Sequence, residues 1–230
     1  MENKPGLAES WEQLDDTTWE FKLRQGVTFH DGTPFNAEVV KANIERIQDP
    51  NIASSVLFMY NMIEEVEVVD DYTVRFKTKY PFGPLPAHFA HPGGQMISKK
   101  QIEEDYAAVA KGEKPGSVIN ANPIGTGPFK FQEWKPGQSI TLVKNEAYWG
   151  GPAKLDSVTF KVVPEDLTRI SELMTGDSQI SMPLSPSDLE QVENTDGLHT
   201  QRTASSSLTF IGFNMSKKPF DDIRVRQAIS

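Results

Sequence analysis

His88 and His91 stand three residues apart, the spacing that puts two imidazoles on one face of a helix, as a metal pair needs. Pro86 and Pro92 bracket them and no carboxylate or third histidine is close by in the sequence, so no metal ion or other cofactor is expected there. The residues that follow offer different chemistry. Gly93 and Gly94 let backbone N–H groups approach a ligand, and Gln95, between His91 and Met96, supplies both a donor and an acceptor. Residues 91–96 therefore read either as a ligand-contacting loop or as a plain surface turn. Ser185 and Ser206, the latter in a run of three serines, could supply hydroxyls to a polar ligand, and capping and loop solvation explain them more cheaply. The Gly125-Thr126-Gly127-Pro128 turn needs no more than a change of chain direction to explain it.

Words that would mark an enzyme are absent: no phosphate loop, no Gly-x-Ser-x-Gly elbow, no His-Glu-x-x-His. The chain has no cysteine, which removes thiol nucleophiles, thiolate metal sites and disulfides. Glu64, Glu65 and Glu67 crowd one strand, where solvation accounts for them. A carboxylate-based hydrolase, the alternative of another class, would need two acids facing each other across a cleft. A formal net charge of -9 disfavours nucleic acid and anionic membrane surfaces as partners. The 230 residues, 37% of them hydrophobic, are enough to bury a core. No apolar stretch follows the first five residues, so any export signal or anchor is expected to lie outside this sequence.

Periodicity supplies the elements. Residues 17–23 alternate Trp19, Phe21 and Leu23 with Glu20 and Lys22, the period of a half-buried strand. Asn36 caps a helix whose face carries Val39, Val40, Ile44 and Ile47 and which ends near Asp49-Pro50. Strands 63–69 and 73–77 make a hairpin, 84–90 a short helix, 99–111 a helix, and 112–123 a connecting loop. A second hairpin, 129–134 and 140–143, crosses Pro136-Gly137. Beyond it the pattern predicts strands at 158–163, 179–181, 198–202 and 208–213. Helices are predicted over 165–174, ending at Gly176, and over 186–192, capped by Ser185. A last helix starts at Asp221 or Asp222. The first half reads as an antiparallel α+β layer and the second as α/β.

Several of these words, taken in order, resemble the family 5 extracytoplasmic solute-binding proteins of ABC importers for peptides, glutathione and nickel. They are Leu7-Ala8-Glu9-Ser10-Trp11, Phe29-His30-Asp31-Gly32-Thr33-Pro34-Phe35, Pro123-Ile124-Gly125-Thr126-Gly127-Pro128-Phe129, Asn145-Glu146-Ala147-Tyr148-Trp149 and Lys218-Pro219-Phe220-Asp221-Asp222-Ile223-Arg224. Residues 90–98 lean toward the glutathione and dipeptide members. The resemblance implies a periplasmic-binding-protein-like type II fold, α/β with an α+β subdomain, of which this chain is one incomplete lobe with a mixed sheet. It places an extra α+β subdomain at 1–123, the central part of the first lobe's sheet at 124–215, and the start of a second lobe at 216–230.

It also implies a function, a non-enzymatic binding protein that captures a dipeptide, oligopeptide or glutathione and delivers it to a membrane permease by lobe closure. Nickel or a metal chelate is the alternative ligand within the family. Residues 91–96 would lie beside the cleft, and Phe213 and Asn214 at a hinge between lobes. The location would be periplasmic, or the cell surface as a lipoprotein.

Overall fold

Four antiparallel strands form the first layer of the structure, a computed structural model that describes residues 3–204 and 210–229. β1 (Ala8–Asp15) and β2 (Thr18–Leu23) pair, β2 pairs with β4 (Thr73–Thr78), and β4 with β3 (Ile63–Asp70), giving the order β1-β2-β4-β3. The alternation in β2 does what its period predicts: Phe21 and Leu23 are buried. Glu20, expected in solvent, is also buried, because Lys22 and Arg75 close over its carboxylate at 2.8 and 2.7 Å. Their hydrogen bonds, that of Lys22 first, hold this carboxyl below its ordinary range.

α1 (Ala37–Gln48) starts where Asn36 Oδ1 accepts from the Val39 N–H, and packs Val39, Val40 and Ile44 against the sheet. Phe76 lies at the centre of that core, with Phe21 at 5.3 Å and Phe89 at 4.8 Å between ring centroids. The helices α2 (Leu85–Phe89) and α3 (Lys99–Val109) occur where the pattern puts them. The expected loop over 112–123 contains a helical turn instead, α4 (Ser117–Ala121), because buried Asp105 accepts from the N–H groups of Gly116 and Val118 and gathers the chain there. β1 escaped periodicity: it is an edge strand that buries little, so no alternation marks it.

A second antiparallel sheet has the order β5-β6-β7, from β5 (Phe129–Lys135), β6 (Ser139–Lys144) and β7 (Ser157–Lys161). Trp134 pairs with Ile140 and Ile140 with Phe160, a row of large apolar side chains across all three strands.

The chain divides into two units, Met1–Val162 and Val163–Ser230. In the second, α5 (Asp166–Thr175) ends at Gly176, whose φ of 82° is the left-handed cap that glycine favours. α6 (Leu189–Glu193) begins later than predicted, with Asp188 at its N-cap, because Ser185 turns its hydroxyl to Ser187 at 2.6 Å. α7 (Ile223–Ile229) follows Asp222, which accepts from the Arg224 N–H. The strands predicted at 179–181 and 198–202, and at the described residues of 208–213, are not strands. Apolar alternation alone makes no strand without a neighbour to pair with. Ile180, Phe210 and Ile211 are exposed there.

Phe76→Ala is expected to lower the unfolding free energy by about 3–5 kcal/mol, and Phe160→Ala, at the exposed end of its row, by less than about 0.5 kcal/mol. Urea denaturation of both variants checks the contrast.

Candidate functional site

The 91–96 loop grows out of a short helix that is pinned from below. Leu85 is fully buried, the His88 ring Nδ1 donates to the Met59 carbonyl at 2.8 Å, and the Tyr60 hydroxyl donates to the His88 carbonyl at 2.9 Å. Burial pushes the Tyr60 phenol up to about 12, so it remains a donor. These bonds turn the His88 ring toward the 59–60 turn. The His91 ring faces its own loop, where Nδ1 accepts from the Gly93 N–H at 3.0 Å. Among the described residues no group of three His, Cys, Asp or Glu side chains is placed to hold a metal ion.

Pro92–Gly94 is a single 3-10 turn, and it settles what the two glycines do. The Gly94 N–H donates to the His91 carbonyl at 2.8 Å. Both N–H groups expected to face a ligand are thus taken up inside the turn. A Cβ on Gly94 would lie 2.5 Å from the Phe89 carbonyl oxygen and 2.9 Å from the Tyr60 hydroxyl. Gly94 is glycine because the backbone beneath it is that close. Gly93 packs on Val56 in the same way, less tightly, at 3.1 Å.

Between this segment and the sheet lies a cavity of about 380 Å³. Trp11, Phe21, Phe76 and Phe89 supply aromatic walls, and His91, Gly94, Gln95 and Met96 form part of its border. Of the five contact residues predicted in the loop, His91, Gly94, Gln95 and Met96 reach one apolar hollow and Gly93 does not line it. Among the described residues, Lys4 is the only Lys, Arg, Asp or Glu in the lining. Trp11, which the sequence marks only within a family word, and Phe89, only within a short helix, are not among the predicted contacts, since a strand edge and a helix end carry no periodic signal. Ser185 lies in the second unit, and Ser206 lies outside the described residues. Asn214 heads a turn, its Oδ1 accepting from the Ser216 N–H and hydroxyl, while the Phe213 ring packs on Phe220 at 5.4 Å.

A second constellation joins the two sheets. His30 Nε2 and Asn145 Nδ2 both reach the Gly127 carbonyl at 3.0 Å, the His30 N–H donates to the Gly125 carbonyl at 2.9 Å, and the Asn145 N–H donates to the Pro128 carbonyl at 2.9 Å. Asp31 accepts from Thr33 and from the Ser98 hydroxyl; burial alone would raise its carboxyl, and these bonds outweigh it. The Arg24 guanidinium lies 4.4 Å over the Trp149 ring. No acid faces another acid in either constellation. The described buried carboxylates, Glu20 and Asp105, are matched to Lys22, Arg75 and Arg46.

The fold resembles part of the periplasmic-binding-protein-like type II fold of solute-binding proteins. The chain belongs to the bacterial extracellular solute-binding proteins, family 5, whose model matches residues 2–230. It is similar to NikZ from Campylobacter jejuni, solved in complex with Ni(L-His), with a TM-score of 0.87 and 28% identity over 98% of this chain and 44% of that one. It is similar to the oligopeptide-binding protein AppA of Bacillus subtilis, solved with a nonapeptide, with a TM-score of 0.83 and 32% identity over 97% of this chain and 44% of that one. Among curated proteins it is 35% identical to the glutathione-binding protein GsiB of Pectobacterium atrosepticum over 97% of this chain and 42% of that protein. The chain thus spans less than half the length of the relatives it matches. The family consists of solute-binding proteins and not enzymes. No helix among the described residues is long and apolar enough to cross a membrane.

Gly94→Ala is expected to lower stability by about 1–3 kcal/mol, because backbone stands in the way of the new methyl. Gly6→Ala, with nothing within 4 Å of the added Cβ, changes it by less than about 0.5 kcal/mol. Thermal melts of the two variants measure the difference.

Proposed function

We propose that this chain is part of the substrate-binding component of an ABC importer that captures a peptide-like solute, a dipeptide, oligopeptide or glutathione, and hands it to a membrane permease. The observation that carries this reading is the match along almost the whole chain to a glutathione-binding protein and to a nonapeptide-bound one. In this reading residues 1–123 are an extra subdomain, 124–215 the central part of the first lobe's sheet, and 216–230 the start of a second lobe, with Phe213 and Asn214 at the hinge. Capture takes place outside the cytoplasm, in the periplasm or at the cell surface on a lipid anchor.

His91, Gln95 and Met96 contact the solute from the rim of the aromatic hollow, with Gly93 and Gly94 fixing the loop's path. Ser185 and Ser206 add hydroxyls. With the glycine N–H groups occupied, polar recognition at this rim falls to side chains: the His91 Nε2 edge and the Gln95 amide. A nickel chelate is the second reading, favoured by the likeness to NikZ in complex with Ni(L-His).

A thermal-shift screen of the protein as the cell makes it, against dipeptides, glutathione and Ni²⁺ with histidine, separates the two: a shift with peptides or glutathione is expected, and a shift with the nickel chelate alone supports the second. His91→Ala and Gln95→Ala are each expected to weaken peptide binding by about 5- to 10-fold in calorimetry, the loss of one hydrogen bond; unchanged affinity removes the rim from the site. The 230 residues alone are expected to bind more weakly than about 10 µM.

A further inference from the structure

His30 sits between backbone groups that leave its ring one way to be protonated. The Gly125 N–H can only donate, so Nδ1, 3.4 Å away, accepts; the Gly127 carbonyl can only accept, so Nε2, 3.0 Å away, carries the hydrogen. The neutral Nε2–H tautomer satisfies both. A second proton would go on Nδ1 and point at the Gly125 N–H, turning a hydrogen bond into a clash of two donors.

We propose that His30 is a positioning residue that acts as an acid-sensitive latch: as a neutral ring it clamps the crossing between the two sheets, and protonation lets residues 125–127 open. The ring is half-buried at the join. Its charged surroundings are Lys130, at the start of β5, which opposes a further positive charge, and Asp31, on its own turn, which favours one. Asp31 is already engaged by Thr33 and Ser98. Burial dominates, and the ring titrates below its ordinary value near 6.5.

The sign follows from proton counting. Between the ordinary value and the lower value in the closed join, the opened form binds more protons than the closed one, so acid favours opening across that interval and has no further effect below it. The Asn145 bonds to Gly127 and Pro128 do not titrate. They keep the sheets joined while the latch loosens.

Amide exchange followed by mass spectrometry from about pH 8 to about pH 5, corrected for intrinsic exchange rates, tests the latch on the 230-residue chain. Protection over residues 122–129 is expected to fall by up to about tenfold per pH unit below about pH 6.5, while β2 and β4 hold theirs. His30→Gln, which cannot gain a charge, should flatten that dependence. Long-range ¹H–¹⁵N spectra of the wild-type ring need no variant and should show the Nε2–H tautomer at neutral pH. An Nδ1–H ring, or wild-type protection over 122–129 that stays flat across this range, overturns the proposal.

Discussion

The Gly127 carbonyl is the point on which the two sheets hang. Between residues 122 and 128 the chain has left α4 and has not entered β5, yet its polar groups still need partners. Distant segments provide them: the Gln101 side chain takes the Asn122 carbonyl and the Ile124 N–H, the His30 ring takes the Gly125 N–H and the Gly127 carbonyl, and Asn145 takes the Gly127 carbonyl with its side-chain amide and the Pro128 carbonyl with its backbone N–H. One such group left buried and unmet costs about 1–3 kcal/mol. The join is therefore specified by individual side chains, where the sheets themselves are specified only by pattern.

Those side chains are in turn held from behind. Ser98 caps α3 by accepting from the Gln101 N–H and donates to Asp31, tying the helix start to the turn that carries His30. Asn43 on α1 binds the Ile97 N–H and carbonyl, fixing the chain just before that cap. Arg46, one turn further along, meets the fully buried Asp105 at 2.9 Å, and Asp105 also accepts from Gly116 and Val118. A buried charge pair is costly unless its remaining polar groups are met; the Asp105 oxygens are, while the Arg46 Nε is buried without a hydrogen-bond partner. The result is a continuous path from α1 through α3 to the crossing.

This arrangement explains which parts of the molecule could be read from sequence. Phe21 and Leu23, Val39, Val40 and Ile44, and the Asn36 cap are local, so their period and chemistry predicted β2 and α1. The words around His30, Gly125 and Asn145 carry the family resemblance, and in the structure they are partners across one join. Nothing in their separate spacing says so, because His30 and Gly127 lie 97 residues apart. The glycine pair at 93 and 94 reads in the sequence as a place where backbone N–H groups can approach a ligand, and the structure uses it differently. Its N–H groups serve the turn, and its missing Cβ atoms serve Phe89, Tyr60 and Val56. The hollow needed tertiary packing to appear at all, since Trp11 comes from an edge strand and Phe89 from the end of a five-residue helix.

The contrast between the two units bears on where recognition can be rigid. The first has a contiguous core in which Tyr60, Phe76, Val74 and Leu85 are almost wholly buried. In the second, among the described residues, only Ile170 and Val192 are buried apolar side chains, while Ile180, Met182 and Ile211 are about four-fifths exposed. Its order comes from short-range bonds: Arg169 to the Val163 and Pro164 carbonyls, Ser178 to Glu172, and Thr200 and Arg202 to Glu193. Such bonds are individually weak, and the exposure is that of a chain spanning less than half the length of its relatives. The 91–96 loop is anchored through Leu85, Tyr60 and His88 in the unit with the contiguous core. In the role proposed for it, that anchoring sets the loop's geometry before a solute arrives, the condition under which a few side-chain donors can discriminate among ligands.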